Sequence, residues 1–264
     1  MNTIDAILYI NLDHRQDRKK HIEKEISRME FDPKIVHRIS AIYDRMCGHL
    51  GCGLSHIKAL EVALQNKWQR VMILEDDFKF LVRSAELHAS IKEADCIKIT
   101  RLCATDGCTY ATHTNILNNN GKYCCKLCQE SQKNQESTNH GPLCEHIPPQ
   151  RKWDVLLLAQ GHNNLGPLNG RIRKVNACTT TSGYIVKANY IETLLKNFRA
   201  AVKKMQKQIE TRNTELLQEG KPLTKFIHGV AAIDQEWAAL QKRDIFYIFD
   251  PMIGTQLPFK SDTF

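Results

Sequence analysis

With 264 residues, 42% of them apolar and 25% charged, the chain has the material of an ordinary soluble globular protein: one main domain carrying an insertion. No apolar run approaches the ~20 residues of a membrane-spanning helix, so a soluble chain without such a helix is expected. The net charge of +8 suits a polyanionic partner, yet Arg15, Arg18, Lys19 and Lys20, like Lys203, Lys204 and Lys207, recur as solvated helical faces, so no nucleic-acid partner is expected.

Met1 to Leu12 is apolar but short and carries Asp5 where a secretory signal would be basic, so it reads as a buried first strand and the cytoplasm is the expected location. Ala6–Ile10 is that strand, and Gln16–Met29 follows as a helix through Ile22, Ile26 and Met29. Lys34–Ile39 is a second strand. The glycine-rich Gly48–Gly53 reads as a loop opening a helix over Ser55–Asn66. Arg70–Leu74 is a buried strand ending on Glu75, Asp76 and Asp77, Asp95–Thr100 another, and Trp153–Leu158 a third apolar run. Tyr184–Val186 is a short strand, Tyr190–Gln218 a long one-sided helix stopped by Gly220 and Pro222, Ala231–Lys242 a helix, Ile245–Phe249 a last strand and Pro251–Phe264 an irregular tail. Strands alternating with helices predict an α/β fold with a mostly parallel central sheet flanked by helices.

Three consecutive carboxylates at the end of a buried strand repel one another unless a cation sits among them. Hard ions such as Mn²⁺ or Mg²⁺ take carboxylate and phosphate oxygens together, which is how a diphosphate leaving group is neutralised. A solvated acidic turn is the competing reading. At the end of the first strand, Asn11, Asp13, Arg15 and Arg18 offer amide, carboxylate and guanidinium groups where open α/β sheets bind nucleotides; an ordinary helix start competes, above all for Arg18. Ser55 and His56 open the helix after the glycine loop and are donor-site candidates, against the plainer readings of helix N-cap and core histidine.

These blocks resemble glycosyltransferase family 25, which includes bacterial lipooligosaccharide and collagen hydroxylysine galactosyltransferases. Tyr9–Arg18 is similar to its opening signature, Gly48–His56 to its Gly-x-x-Gly-Cys-x-x-Ser-His block, Ile73–Asp77 to Leu-Glu-Asp-Asp, and Thr181–Tyr184 to Thr-x-Gly-Tyr. The resemblance implies a GT-A type nucleotide-sugar-binding fold, a UDP-sugar donor, a glycan, glycoprotein or collagen-like acceptor, and inversion at the sugar carbon. It gives the acidic block the part of a metal-binding Asp-x-Asp motif, here Glu75-x-Asp77: Asp77 on the metal, Asp76 on ribose or donor sugar, Glu75 behind them. Inversion also requires a general base, for which Asp234 is the first candidate and Glu236 the second; a helix-capping carboxylate is the alternative for Asp234. Gln160, His162 and Asn163 follow the Trp153-Asp154 strand at a further strand end, with open roles. A metal-dependent phosphohydrolase or nucleotidyltransferase, and a zinc-stabilised binding protein without turnover, are the rival readings.

From residue 101 to 151 the pattern breaks into a polar, cysteine-rich insertion outside the resemblance. Cys103, Cys108, Cys124, Cys125, Cys128 and Cys144 sit where no aliphatic core exists, so structural Zn²⁺ is the expected clasp, ahead of free thiols and then disulfides. Acceptor binding or a homo-oligomer contact is the expected use of the segment.

Overall fold

The computed structural model describes residues 4–96, 153–161, 163–226 and 231–259. The cysteine-rich insertion, with its expected zinc ligands, lies outside these residues. So do His162 and residues 97–100 of the expected Asp95–Thr100 strand; Asp95 itself ends a helix.

Among the described residues, ten strands form around six α-helices. The strands are β1 (Ala6–Asn11), β2 (Val36–Ser40), β3 (Arg70–Glu75), β4 (Phe78–Phe80), β5 (Val155–Leu157), β6 (Asn163–Asn169), β7 (Ile172–Cys178), β8 (Gly183–Lys187), β9 (Phe246–Phe249) and β10 (Gly254–Gln256). The helices are α1 (Gln16–Arg28), α2 (Gly48–Gln65), α3 (Ser84–Asp95), α4 (Ala188–Gln218), α5 (Ile233–Glu236) and α6 (Ala238–Arg243). An eight-stranded sheet runs β2-β1-β3-β8-β5-β9-β7-β6, and β4 pairs with β10 in a small second sheet.

The chain is a mixed α/β protein in which most strands of the large sheet point one way. β2, β1 and β3 pair in parallel, as do β5 and β9, while β8 and β7 run against their neighbours. Strand residues alternate between two cores, as the period of two demands. Leu8, Ile10, Val71 and Ile73 face the side covered by α2 and α4; Ile7, Tyr9, Met72 and Leu74 face the side of α1 and α3. Each such fully buried aliphatic side chain contributes about 1.5–3 kcal/mol. In α4, Ile191, Leu194, Leu195, Phe198, Val202 and Met205 are buried at helical spacing while Lys203, Lys204 and Lys207 are exposed, so one face packs and the other is solvated.

Several elements depart from expectation. α2 starts at Gly48, with Cys47 as its N-cap residue, so the expected glycine loop is helix and Ser55 sits mid-helix. Its glycines serve packing. A Cβ on Gly51 would collide with the Ile42 carbonyl oxygen, and one on Gly53 would press at 3.0–3.3 Å on Val202, Ile233 and Met205. The β6–β7 hairpin turns through Asn169-Gly170, with Gly170 at φ +60°, a pairing signal for a tight turn. Residues 254–256 of the expected irregular tail form β10. The helix expected over Ala231–Lys242 divides into α5 and α6 at Trp237.

Candidate active site

The carboxyl ends of β1 and β3 bring Asn11 and Glu75–Asp77 together, and α1 returns Arg18 onto them. Arg18 Nη1 donates to Asp76 Oδ1 at 2.9 Å and to Asp77 Oδ2 at 3.2 Å. Asn11 Nδ2 donates to the other oxygen of Asp76 at 2.8 Å. Part of the positive charge that adjacent carboxylates require is therefore supplied by the chain. Arg18 is thus a counter-ion to the acidic block. The Phe259 ring lies 5.5 Å from the Arg18 guanidinium carbon and covers it.

The neutralisation is incomplete. Asp77 is only 5% exposed, and its Oδ1 is buried without a hydrogen-bond partner among the described residues. Burial, reinforced by the Glu75 charge, pushes the Asp77 carboxyl up to about 7. Burial acts on Glu75 in the same sense, but the His56 hydrogen bond and charge and the Thr181 hydroxyl hold it below its ordinary value. One charged and one strained carboxylate side by side, with an unsatisfied oxygen, make a fitting seat for a divalent cation.

His56 is fully buried, its Nε2 3.2 Å from Glu75 Oε1 and its Nδ1 3.1 Å from the Tyr184 hydroxyl. It orients Glu75 from behind, as does Thr181 Oγ1, which donates at 2.8 Å. Donor atoms of Cys52, His56 and Glu75 lie within 4.8 Å of one another, but the Cys52 thiol is pushed well up by burial and then by the Glu75 charge. Ser55 Oγ donates to Gly51 O at 2.6 Å and accepts from Ile42 N at 2.8 Å, so it pins the loop before α2. Asp13 is exposed and holds Arg38 and Ser40; Arg15 pairs with Asp17.

Two clefts meet at Arg18, Cys52 and Glu75. One runs beneath Asn11, Leu12, Ile42, Tyr43 and Asp44. The other, about 390 Å³, is bounded by Asp77, His49, Thr180, Asp234, Gln256 and Leu257. Asp234 Oδ2 accepts from the Thr180 backbone N–H at 3.1 Å. Gln256 Nε2 donates to Asp77 Oδ2 at 3.2 Å, so the last strand closes on the acidic block. Glu236 is not brought into this cleft: its carboxylate pairs with Lys204 on α4, because two positions along a helix turn it away from Asp234. Asn163 is exposed on β6 beside a smaller depression that Asp234 also borders. Gln160 is half-buried, with its carbonyl oxygen unpartnered among the described residues.

Sequence reasoning did not single out His49, Thr180 or Gln256 as site residues. His49 is visible there only as a variable position in a glycine block; Thr180 and Gln256 become neighbours of the acidic block through β8 and β10.

A family model described as glycosyltransferase family 25 (LPS biosynthesis protein) matches residues 44–211. The chain belongs to this family. The matched region of this glycosyltransferase contains the Gly48–His56, Glu75–Asp77 and Thr181–Tyr184 blocks; Asn11, Arg18 and Asp234 lie beyond it. No curated protein matches the sequence. Among solved structures, the family 25 chain is similar to a mannose-1-phosphate geranyltransferase from Thermus thermophilus, at 11% identity over 92% of this chain and 72% of that one, with a TM-score of 0.41. It is also similar to a glycosyltransferase involved in the glycosylation of the major capsid of PBCV-1, at 8% identity over 97% of this chain and 94% of that one, with a TM-score of 0.35. No described helix is long and apolar enough to cross a membrane.

Proposed function

We propose that this family 25 enzyme transfers a hexose, galactose or glucose, from a UDP-sugar to a hydroxyl group of a glycan or hydroxylysine-type acceptor, with inversion and with a divalent ion. The observation that carries this reading is the buried Asp77 Oδ1, without a hydrogen-bond partner among the described residues, in the same cleft as Asp234. Glu75 and Asp77 would hold Mn²⁺ or Mg²⁺, whose charge neutralises the diphosphate leaving group when bound.

The chain's own residues divide the remaining work. The cleft under Asn11, Ile42, Tyr43 and Asp44 accepts the nucleoside, with the exposed Tyr43 ring, in edge contact with His14, at its rim. Arg18, tied to Asp76 and Asp77, keeps the acidic block compact and leaves the Asp77 oxygen facing the donor. Asp234, across the cleft, takes the proton of the acceptor hydroxyl. The acceptor oxygen bonds to the anomeric carbon as the bond from that carbon to the diphosphate oxygen breaks. A positioned base of this kind contributes about 10²–10⁴ in rate. Cys103, Cys108, Cys124, Cys125, Cys128 and Cys144 are proposed as structural Zn²⁺ ligands.

A panel of nucleotide sugars, followed by thermal shift and by UDP release with and without Mn²⁺, tests the reading. Stabilisation and turnover by a UDP-hexose only when Mn²⁺ is present is the expected result. Equal stabilisation in EDTA, or by every sugar nucleotide alike, would contradict it.

A further inference from the structure

Among the described residues, three that are not glycine have positive φ: Glu30, Lys67 and Thr180. Glu30 and Lys67 directly follow the C-caps of α1 and α2, where the left-handed conformation is the ordinary way to end a helix. Thr180, at φ +80°, is different. It lies in the connection between β7 and β8, where no helix ends, and is β-branched, the side-chain type least suited to that region. Glycine would hold the same turn without strain.

What the turn achieves is visible in its partners. The Thr180 N–H donates to Asp234 Oδ2 at 3.1 Å, and its Oγ1 donates to Gln256 Oε1 at 3.1 Å. Gln256 in turn donates to Asp77 Oδ2 at 3.2 Å. The next residue, Thr181, donates to Glu75, and the Ser182 carbonyl accepts from the Glu75 N–H at 2.8 Å. One three-residue turn thus holds the carboxylates on both sides of the cleft. Only a threonine or serine hydroxyl at the strained position completes the link through Gln256, since glycine has none.

We propose that Thr180 is a positioning residue for transfer. Its left-handed backbone aims the N–H at one oxygen of Asp234, turning the other toward the acceptor, while its hydroxyl fixes Gln256 and through it Asp77. This rests on the assignment of Asp234 as base and Asp77 as donor-side ligand. Strain kept at such a position is the expected mark of a functional constraint on the backbone.

The test compares Thr180→Gly, Thr180→Ser and Asp234→Asn in the full-length enzyme with a UDP-hexose and its acceptor. Thr180→Gly should lower kcat by about tenfold to a hundredfold, the scale on which a ~1 Å misplacement acts, with donor KM within about threefold. Its melting temperature should be unchanged or raised, because glycine relieves the backbone strain. Thr180→Ser, which keeps the hydroxyl, should restore most of kcat. In the folded enzyme the Thr180 amide should be protected from hydrogen exchange, and Asp234→Ala should remove that protection. Wild-type kcat in Thr180→Gly, or a fall in kcat that follows an equal fall in melting temperature in both Thr180 variants, would overturn the positioning role. Full transfer by Asp234→Asn would overturn the base assignment itself, a separate failure from the first.

Discussion

The two ends of the large sheet are built on different plans. At the β2-β1-β3 end the pairing is parallel, and the functional groups Asn11, Arg18 and Glu75–Asp77 lie on or next to contiguous strand–helix units. One guanidinium partly offsets the carboxylate charge there before any ligand arrives. At β8 the pairing turns antiparallel, and the groups that face the cleft, Thr180, Asp234 and Gln256, come from a loop, a short helix and the last strand. There the balance runs through backbone N–H groups and neutral side chains. A parallel unit can concentrate charge because its own helix brings the counter-ion back; an antiparallel seam assembles its site from distant turns and must hold them with hydrogen bonds.

Removing the internal counter-ion breaks the first plan most sharply. Arg18→Met leaves Asp76 and Asp77 buried against each other and should cost about 3–5 kcal/mol of folding stability, the scale for stripping one partner from a buried pair. Urea unfolding measures it. A loss well below 1 kcal/mol would mean that the acidic block is not held by Arg18, and Mn²⁺ should recover part of the loss if the ion shares that block.

The seam itself is tested by Gly183→Ala. Gly183 pairs with Leu74 at the end of β3, and a methyl there would collide with the Phe78 ring, as would one on Gly254. Overpacking of this kind costs about 1–3 kcal/mol, read by thermal or urea melts. Because Phe78 directly follows Asp77, the same variant should lower transfer by more than its melting temperature explains. A variant as stable and active as wild type would show that the seam tolerates displacement.

The smallest effect is expected at Glu236. Its ion pair with Lys204 is partly exposed and faces away from the cleft, so Glu236→Gln should change stability by less than about 1 kcal/mol and leave transfer near wild type. A large fall in kcat would put Glu236 into the chemistry and redraw the antiparallel half.

Legibility in the sequence follows the same division. Ala6–Ile10 and Arg70–Leu74 announce buried strands by continuous apolar runs, and three carboxylates at a strand end are conspicuous in any sequence. Their partner Arg18 is legible as a charge near the site but not as their counter-ion, since sequence spacing cannot say which way a guanidinium folds back. The glycine block misleads because glycine reads as a breaker, whereas Gly51 and Gly53 let α2 approach the Ile42 carbonyl and α4 closely. On the antiparallel side, β6, β7 and β10 are polar or short and carry no apolar period strong enough to declare them. Thr180 and Gln256, separated by 76 positions, meet only through that pairing.

The central claim, that the acidic end of the parallel half is the metal-dependent donor site, is tested most directly by calorimetric titration of a UDP-hexose into wild type and Asp77→Asn, each with Mn²⁺ and with EDTA. Wild type should bind with Mn²⁺ and weaken about a hundredfold or more in EDTA, and Asp77→Asn should show the same weak binding under both conditions, because the substitution removes a hard anionic oxygen that the ion needs. Equal affinity in all four titrations would contradict it.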